Sequence, residues 1–323
     1  MANANSTEFG LLGERQALPT SARSEILALG GPRPWPFLRA AFFAWAVIFG
    51  AIWWAAVASS VWVSLLAVFI VATRQNVLGL LVHEQAHCLG FPARRGDLIA
   101  NLLAGYPLLV LTVENYAQVH LSHHKYFFTD KDPDFLRKSG PDWTFPMSAW
   151  RFARLLLSDL VGLNVWRLLK GKRLEGNAFK RPHPTPKWIR LTFYGAVAIA
   201  LTATNTWHLF LLYWLLPLVT VFQVIVRWGG ICEHKYNLRN ASIGDSSPII
   251  VPRWWQMLLL PNLGFTLHPY HHLFPGVSYS YLPRVHEIFC SVGLIDDTRV
   301  FHGYGAYLKY LLRPASSTAL GKA

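Results

Sequence analysis

Apolar residues run almost unbroken through residues 37–57 (FLRAAFFAWAVIFGAIWWAAV), a 21-residue stretch with one charge, Arg39, near its start. At 1.5 Å per residue such a helix extends about 31 Å, the thickness of a bilayer's hydrocarbon core. The run is too long and begins too far into the chain to be a signal peptide. After Ala58-Ser59-Ser60 a second run covers residues 61–82, where Arg74, Gln75 and Asn76 are expected to face protein instead of lipid. Residues 188–204 and 207–227 form a third and a fourth run, the last kinked at Pro217. Short joints at 58–60 and 205–206 fold the four into two helical hairpins. The pattern predicts an all-α integral membrane protein with four transmembrane helices.

Two further stretches are apolar without being spans. Residues 98–113 (LIANLLAGYPLLVLTV) are bounded by Asp97 and Glu114 and are short for a crossing, so a re-entrant or interfacial helix is expected. Residues 149–169 place Arg151, Arg154 and Arg167 among spaced Leu, Val and Trp, the pattern of a helix lying in the interface or packed in a cap. PRPWP (32–36) and PHPTP (182–186) read as connectors into membrane helices. The chain thereby divides into a mobile N-terminus (1–36), a membrane domain (37–290) and a C-terminal tail (291–323).

Composition and charge sharpen the topology. Only 15% of the 323 residues are charged and 53% are apolar, which excludes a disordered or ordinary soluble chain. Cys88, Cys232 and Cys290 cannot staple such a chain and are expected to be buried, reduced thiols. Lys and Arg exceed Asp and Glu by 13; they number 4 in residues 1–39, 16 in 83–190 and 8 in 228–323, and neither hairpin tip carries one. The positive-inside rule puts both termini and a helical cap on the cytoplasmic side. The basic excess is then a topology signal, and nucleic acid is not an expected partner.

Nine of the 13 histidines fall in four clusters: His83-Glu-Gln-Ala-His87, His120-Leu-Ser-His123-His124, Glu233-His234 and His268-Pro-Tyr-His271-His272. Residues three and four apart share a helix face, so each cluster can aim its imidazoles at one point. His83 begins where the second span ends and His234 follows the fourth, which directs both hairpins toward one place. One zinc takes three or four ligands; nine imidazoles with positions left open suit two irons that bind dioxygen. Glu84 and Glu233 are candidates for holding ligand rings by hydrogen bonds.

HEQAH, HLSHH and HPYHH, in that order, resemble the three histidine boxes of the membrane fatty-acid desaturase superfamily. The resemblance extends to Asp132-Pro133-Asp134 and to HHLFPGVSYSYLPRVH (271–286). It implies a non-haem di-iron centre held by His83, His87, His120, His123, His124, His268, His271 and His272, with His234 as the extra histidine after the last span. It also implies O₂ as co-substrate, an apolar lipid substrate taken from the bilayer, and desaturation of an acyl chain. No His-Pro-Gly-Gly element is present, so electrons are expected from a separate carrier of ferredoxin, rubredoxin or cytochrome b5 type. The chain departs from some acyl-CoA desaturases in carrying Gly230 where they place an asparagine. Glu233-His234 instead resembles alkane-hydroxylase-like members, which keeps a hydroxylase of an alkyl, terpenoid or other apolar substrate as the alternative.

HEQAH is also a zinc metalloprotease signature with Glu84 as general base, but that reading leaves both HxxHH clusters unexplained. A histidine-lined transporter would place its ligands at mid-membrane depth, whereas these lie beyond the helix ends. Asp132 and Asp134 are expected to cap a helix or to pair with Lys125 or Lys131. His286 is expected to be structural, His208 interfacial, and His183 and His302 have no partner at ligand spacing. The Trp53-Trp54 and Trp254-Trp255 pairs are expected to be core or interface aromatics.

Overall fold

The computed structural model describes residues 7–109, 111–170 and 179–312, and among them there are helices and isolated β-bridges but no strand. A short helix, α1 (Thr20–Ala28), precedes two long ones, α2 (Pro34–Ala58) and α3 (Val61–Ala86). Pro34 opens α2 where the missing N–H costs nothing, and Ser59, at φ 47°, turns the chain into α3. The stripe that α2 buries is Phe37, Ala41, Ala44, Ile48, Ala51 and Ala55. Alanines dominate it, so the α2 and α3 backbones approach closely, while Phe42, Phe43, Phe49 and Trp53 point outward. Packed against α2 and the helices that follow, α3 is the central helix. The amide of its Gln75 donates to the Trp214 carbonyl (2.8 Å), that of Asn76 to the Pro261 carbonyl (3.2 Å), and the Arg74 guanidinium to the Leu258 carbonyl (3.1 Å).

The chain next forms α4 (Ala93–Ala100), a π turn (Asn101–Gly105), a 3₁₀ turn (Tyr106–Leu108) and α5 (Val113–Lys125), bent by 94° between its two limbs. Such a bend frees backbone carbonyls that an apolar setting cannot hydrate. Side chains from three helices satisfy them. The Trp45 indole donates to Leu103 O (2.8 Å), the Trp214 indole to Pro107 O (2.9 Å) and Arg190 to Leu109 O (2.9 Å). Tyr194 reaches Leu109 O as well. Asn101 accepts from the Val113 N–H (2.8 Å) and closes the bend from inside.

Beyond α6 (Pro133–Lys138), helices α7 (Ala149–Leu160) and α8 (Leu163–Lys170) meet at Gly162, whose φ of +78° favours glycine. The α7 face with Phe152, Leu155 and Asp159 is buried, and a buried ion pair joins Asp159 to Arg227. The opposite face exposes Trp150, Leu157 and Leu160. The stretch 149–169 is thus two helices, packed on one side and apolar on the other.

Helix α9 (Lys187–Ala203) occupies the expected third span, but its 17 residues extend only about 25 Å. The last long helix, α10 (Trp207–Glu233), is irregular at a π turn (Leu211–Leu215) and again at Pro217 and Thr220. Among the described residues three helices, α2, α3 and α10, are long and apolar enough to cross a membrane. A fourth crossing exists if the bent pair through residues 95–125 counts as one span.

Beyond a single turn at Ile243–Ser246, the described helices that follow are α11 (Trp254–Leu259), α12 (His268–Leu273), α13 (Leu282–Ser291) and α14 (Tyr304–Leu311). The described part of the N-terminal segment contributes residues to the body of the protein. Phe9, Leu11 and Ile26 are buried, the Leu12 N–H donates to Leu294 O (2.9 Å), and the Asp296 N–H donates to Gly10 O (2.8 Å). Phe9 shares a core with Tyr307 and Leu311 of α14, so the residues read as a tail also join the body. Their partners are nearly 300 positions away, and no local periodicity announces such a contact. Residues 1–6 and 313–323 of the two expected termini lie outside the described residues.

The α2–α3 seam yields a test. Ala44→Leu forces three extra carbons into a closely packed face and should destabilise the protein by about 1–3 kcal/mol. Phe43→Leu, on the exposed face, should leave stability within about 0.5 kcal/mol. Thermal unfolding of the purified protein in one detergent compares the two.

Candidate metal centre

Four chain segments end at one buried point. Helix α3 delivers His83 in its last turn and His87 just beyond it; α5 delivers His120, His123 and His124. His234 follows the final residue of α10, and α12, opened by Pro269 in its first turn, carries His268, His271 and His272. All nine histidines of the sequence clusters meet here.

They form two groups. One ring nitrogen from each of His83, His87, His120 and His271 lies within 4.8 Å of the others, as does one from each of His123, His234 and His272. His124 Nε2 stands 3.0 Å from Nε2 of both His120 and His271, which joins it to the first group. His268 Nε2, 3.1 Å from Nε2 of both His234 and His272, joins the second. The rings of His124 and His272 stack at 4.2 Å, so the groups abut.

This arrangement fits metal ions. Both ring nitrogens of His83, only 3% exposed, and Nδ1 of His268 have no hydrogen-bond partner. Orphaned buried polar atoms cost roughly 1–3 kcal/mol each. Protonation is no remedy: burial, and then neighbouring charge from other imidazoles, pulls His234, His268, His271 and His272 well below the ordinary histidine range. His87 is lowered by the same two causes. Neutral imidazole nitrogens gathered in two sets are a donor array for two transition-metal ions.

The surroundings orient individual rings. Asp132, fully buried, accepts from His123 Nδ1 (2.8 Å) and from the N–H groups of Phe128 (2.8 Å), Asp134 (2.9 Å) and Phe135 (3.1 Å). It therefore caps α6 and fixes the tautomer of His123, leaving Nε2 with its lone pair. His234 Nδ1 is engaged by the Ser247 hydroxyl (2.8 Å). Neither the Asp132–His123 bond nor Ser247 was evident from spacing. Asp134 pairs with Arg137 and Lys138, in place of the expected Lys125 or Lys131. Burial opposes its ionisation, but the Lys138 and Arg137 cations outweigh that and hold its carboxyl well below the usual range.

The two glutamates behave differently from a ring clamp. Glu84 accepts from the Tyr279 N–H (3.3 and 3.5 Å) and the Ser278 hydroxyl, tying the end of α3 to the segment after α12. Glu233 makes none of the described ring hydrogen bonds and lies within electrostatic reach of Lys138, Asp134 and His123. A Cβ added at Gly230 would stand 3.3 Å from Lys138 Nζ and from the Trp143 ring, so Lys138 and Trp143 fill the space a side chain there would take.

His183 and His208 belong to neither group. The Tyr270 hydroxyl meets His286, and His302 faces Asp297. Trp53, Trp54, Trp254 and Trp255 are exposed on the apolar surface. Of the thiols only Cys232 is buried; Cys290 is exposed. An open pocket of about 360 Å³, lined by His87, His124, Lys125, Phe179 and Gly276 among others, reaches the edge of the first group.

With this geometry in hand, comparison with known proteins gives one finding: a family model described as fatty acid desaturase matches residues 60–291. A comparison with curated proteins finds no match.

Asp132→Asn tests the ring-orienting carboxylate. Asparagine keeps the α6 cap but no longer accepts charge-assisted donation from His123. The variant should fold with unchanged helicity and hold metal about 10–100-fold more weakly. Metal analysis after graded chelator exposure, alongside circular dichroism, separates the two effects.

Proposed function

The chain belongs to the fatty acid desaturase family, and from that premise we propose that it is an oxygen- and electron-dependent di-iron desaturase of a lipid acyl chain. The observation that carries the reading is the meeting of nine imidazoles in two groups at the ends of apolar helices. Two irons bound there would supply the O₂ activation that an unactivated C–H bond demands. His83, His87, His120, His124 and His271 would hold one, and His123, His234, His268 and His272 the other.

The chain's own residues do the rest. Asp132 keeps a proton on His123 Nδ1, and Ser247 fixes the ring of His234. Glu84, bound to Tyr279 and Ser278, holds the first box against the third. The exposed apolar faces of α2, α3 and α10 let the bilayer deliver an apolar chain to the cluster without a passage through water. Residues 37–290 carry the reaction.

The metal site and both termini lie on the cytoplasmic side in this reading. The distribution of Lys and Arg supports it. So does the packing of residues 7–30 beside the HPYHH segment, where Gly30 bridges Val277 and Leu11 bridges Ile295. A separate electron carrier of ferredoxin, rubredoxin or cytochrome b5 type completes the cycle, and the pocket lined by His87, His124 and Lys125 offers it an approach to the first group.

One feature favours hydroxylation instead: the Glu233-His234 pair, with Gly230 backed by Lys138 and Trp143. Both outcomes begin with loss of one hydrogen from the chain. The alkene needs a second hydrogen lost from the neighbouring carbon, and the alcohol needs oxygen delivered to the first. The extended third-box flank, HHLFPGV through LPRVH, inclines the reading to the alkene. Expression in a host whose acyl chains are all saturated, under ¹⁸O₂, decides between them by lipid mass spectrometry. Products lighter by two hydrogens are expected; products heavier by one labelled oxygen would assign the hydroxylase.

Glu84 distinguishes this chemistry from a metalloprotease. As a brace between two boxes, Glu84→Gln should lower oxygen-dependent turnover about 10–100-fold without abolishing it. A protease that used it as general base would lose all turnover while keeping its metal. Parallel assays of product formation and of peptide cleavage separate the two.

A further inference from the structure

The connector ahead of α9, residues 179–186, does more than lead into a helix. Its Thr185 N–H donates to Glu114 Oε1 (2.8 Å) at the start of α5, and its Phe179 lines the pocket beside His87 and His124. Between these two anchors Arg181, 13% exposed, turns inward to the end of α3. One guanidinium nitrogen donates to both Gln85 O (3.0 Å) and Ala86 O (2.8 Å), and a second reaches Cys88 Sγ (3.2 Å). Its Nε pairs with the carboxylate of Asp97 at 3.0 Å. Asp97 is buried and takes a further bond from the Gln85 amide (2.9 Å).

The grip matters because of where His87 lies. Helix α3 ends at Ala86, so its regular turns set His83, whereas His87 is the capping residue outside them. The next residue, Cys88, has φ 59°, a conformation that strains an L side chain and persists only where neighbours hold it. The last carbonyls of a helix also lack N–H partners of their own. Arg181 bonds the carbonyls of the two residues before His87 and the thiol of the residue after it. His87 is thereby bracketed by fixed points, and its ring belongs to the first group, with His83, His120 and His271.

We propose that Arg181 is a positioning residue for the first metal: it fixes the backbone on both sides of His87, so the ion of the first group depends on it and the ion of the second does not. The inference rests on the two-metal reading above. Lysine would be a poor substitute, because it can pair with Asp97 but lacks the planar fork that meets a carboxylate and two carbonyls together.

Iron-loaded protein in detergent, exposed to graded chelator, is assayed for retained iron and for helicity by circular dichroism. The wild type should hold two irons. Arg181→Lys keeps the ion pair and should keep its helicity, yet release one iron at about 10–100-fold lower chelator concentration and the other as in the wild type. Asp97→Asn with Arg181→Gln removes both buried charges at once and should give the same pattern. Asp132→Asn, which loosens the second group, identifies the iron: combined with Arg181→Lys it should loosen both. A combined variant in which only one iron is loosened overturns the proposal. So does Arg181→Lys that loosens both irons alike or neither, and so does unfolding of both Arg181 variants, which would make Arg181 a prop of the whole fold. Fewer than two irons in the wild type contradicts the di-iron reading itself, a result distinct from two equally tight irons in wild type and variant.

Discussion

Imidazoles cannot satisfy one another when each presents a lone pair, and here eight of the nine have Nε2 atoms 2.9–3.2 Å from a neighbour's, while both ring nitrogens of the ninth, His83, have no partner. The Asp132 carboxylate can only accept, so the His123 proton sits on Nδ1 and its Nε2 faces the His234 nitrogen without a hydrogen to offer. Burial resists the protons that would relieve the crowding at His87, His234, His268, His271 and His272. The surrounding fold therefore holds these rings against their mutual preference, and much of it can be understood as bracing.

The braces come from outside the clusters. Asp132 spends its two oxygens on four donors, so the position of His123 is locked to the start of α6. Glu84 fastens α3 to the Ser278-Tyr279 segment, and Tyr279 continues the tie by donating its hydroxyl to Pro36 O (2.9 Å) at the start of α2. The bent α4–α5 segment is pinned by Trp45 of α2, Arg190 and Tyr194 of α9 and Trp214 of α10, which fixes where α5 starts and so where its three histidines arrive.

Period and spacing made the helices and the nine histidines legible, because both are local properties. A 21-residue apolar run and an HxxHH triplet can be read without knowing what lies opposite. The partners were not legible. Phe9 and Tyr307 meet across nearly the whole chain, and Glu84 and Tyr279 across 195 positions. The length of α9 also escaped the hydropathy pattern: the run 188–204 is apolar, but Asn205 at φ 52° ends the helix while it is still short of a crossing. Asp132 was seen as a cap and is one; that its other oxygen serves a histidine depends on the fold of residues 123–135, which no spacing rule encodes.

The polar residues inside α3 follow from the same demand for placement. Arg74, Gln75 and Asn76 weaken a span that the sequence could have filled with leucine. Each instead grips a backbone carbonyl of another element: Leu258 and Pro261, in the stretch that leads into α12, and Trp214 in α10. Those two elements carry His268, His271 and His272, and His234. Apolar packing alone leaves helices free to slide, and a slip of one residue moves a side chain about 1.5 Å along the axis, enough to separate nitrogens that must converge within hydrogen-bond range. Directional bonds from the middle of α3 remove that freedom. They set the register of His83 against His234 and His271 from a level about 10–14 Å along α3 from the centre they serve.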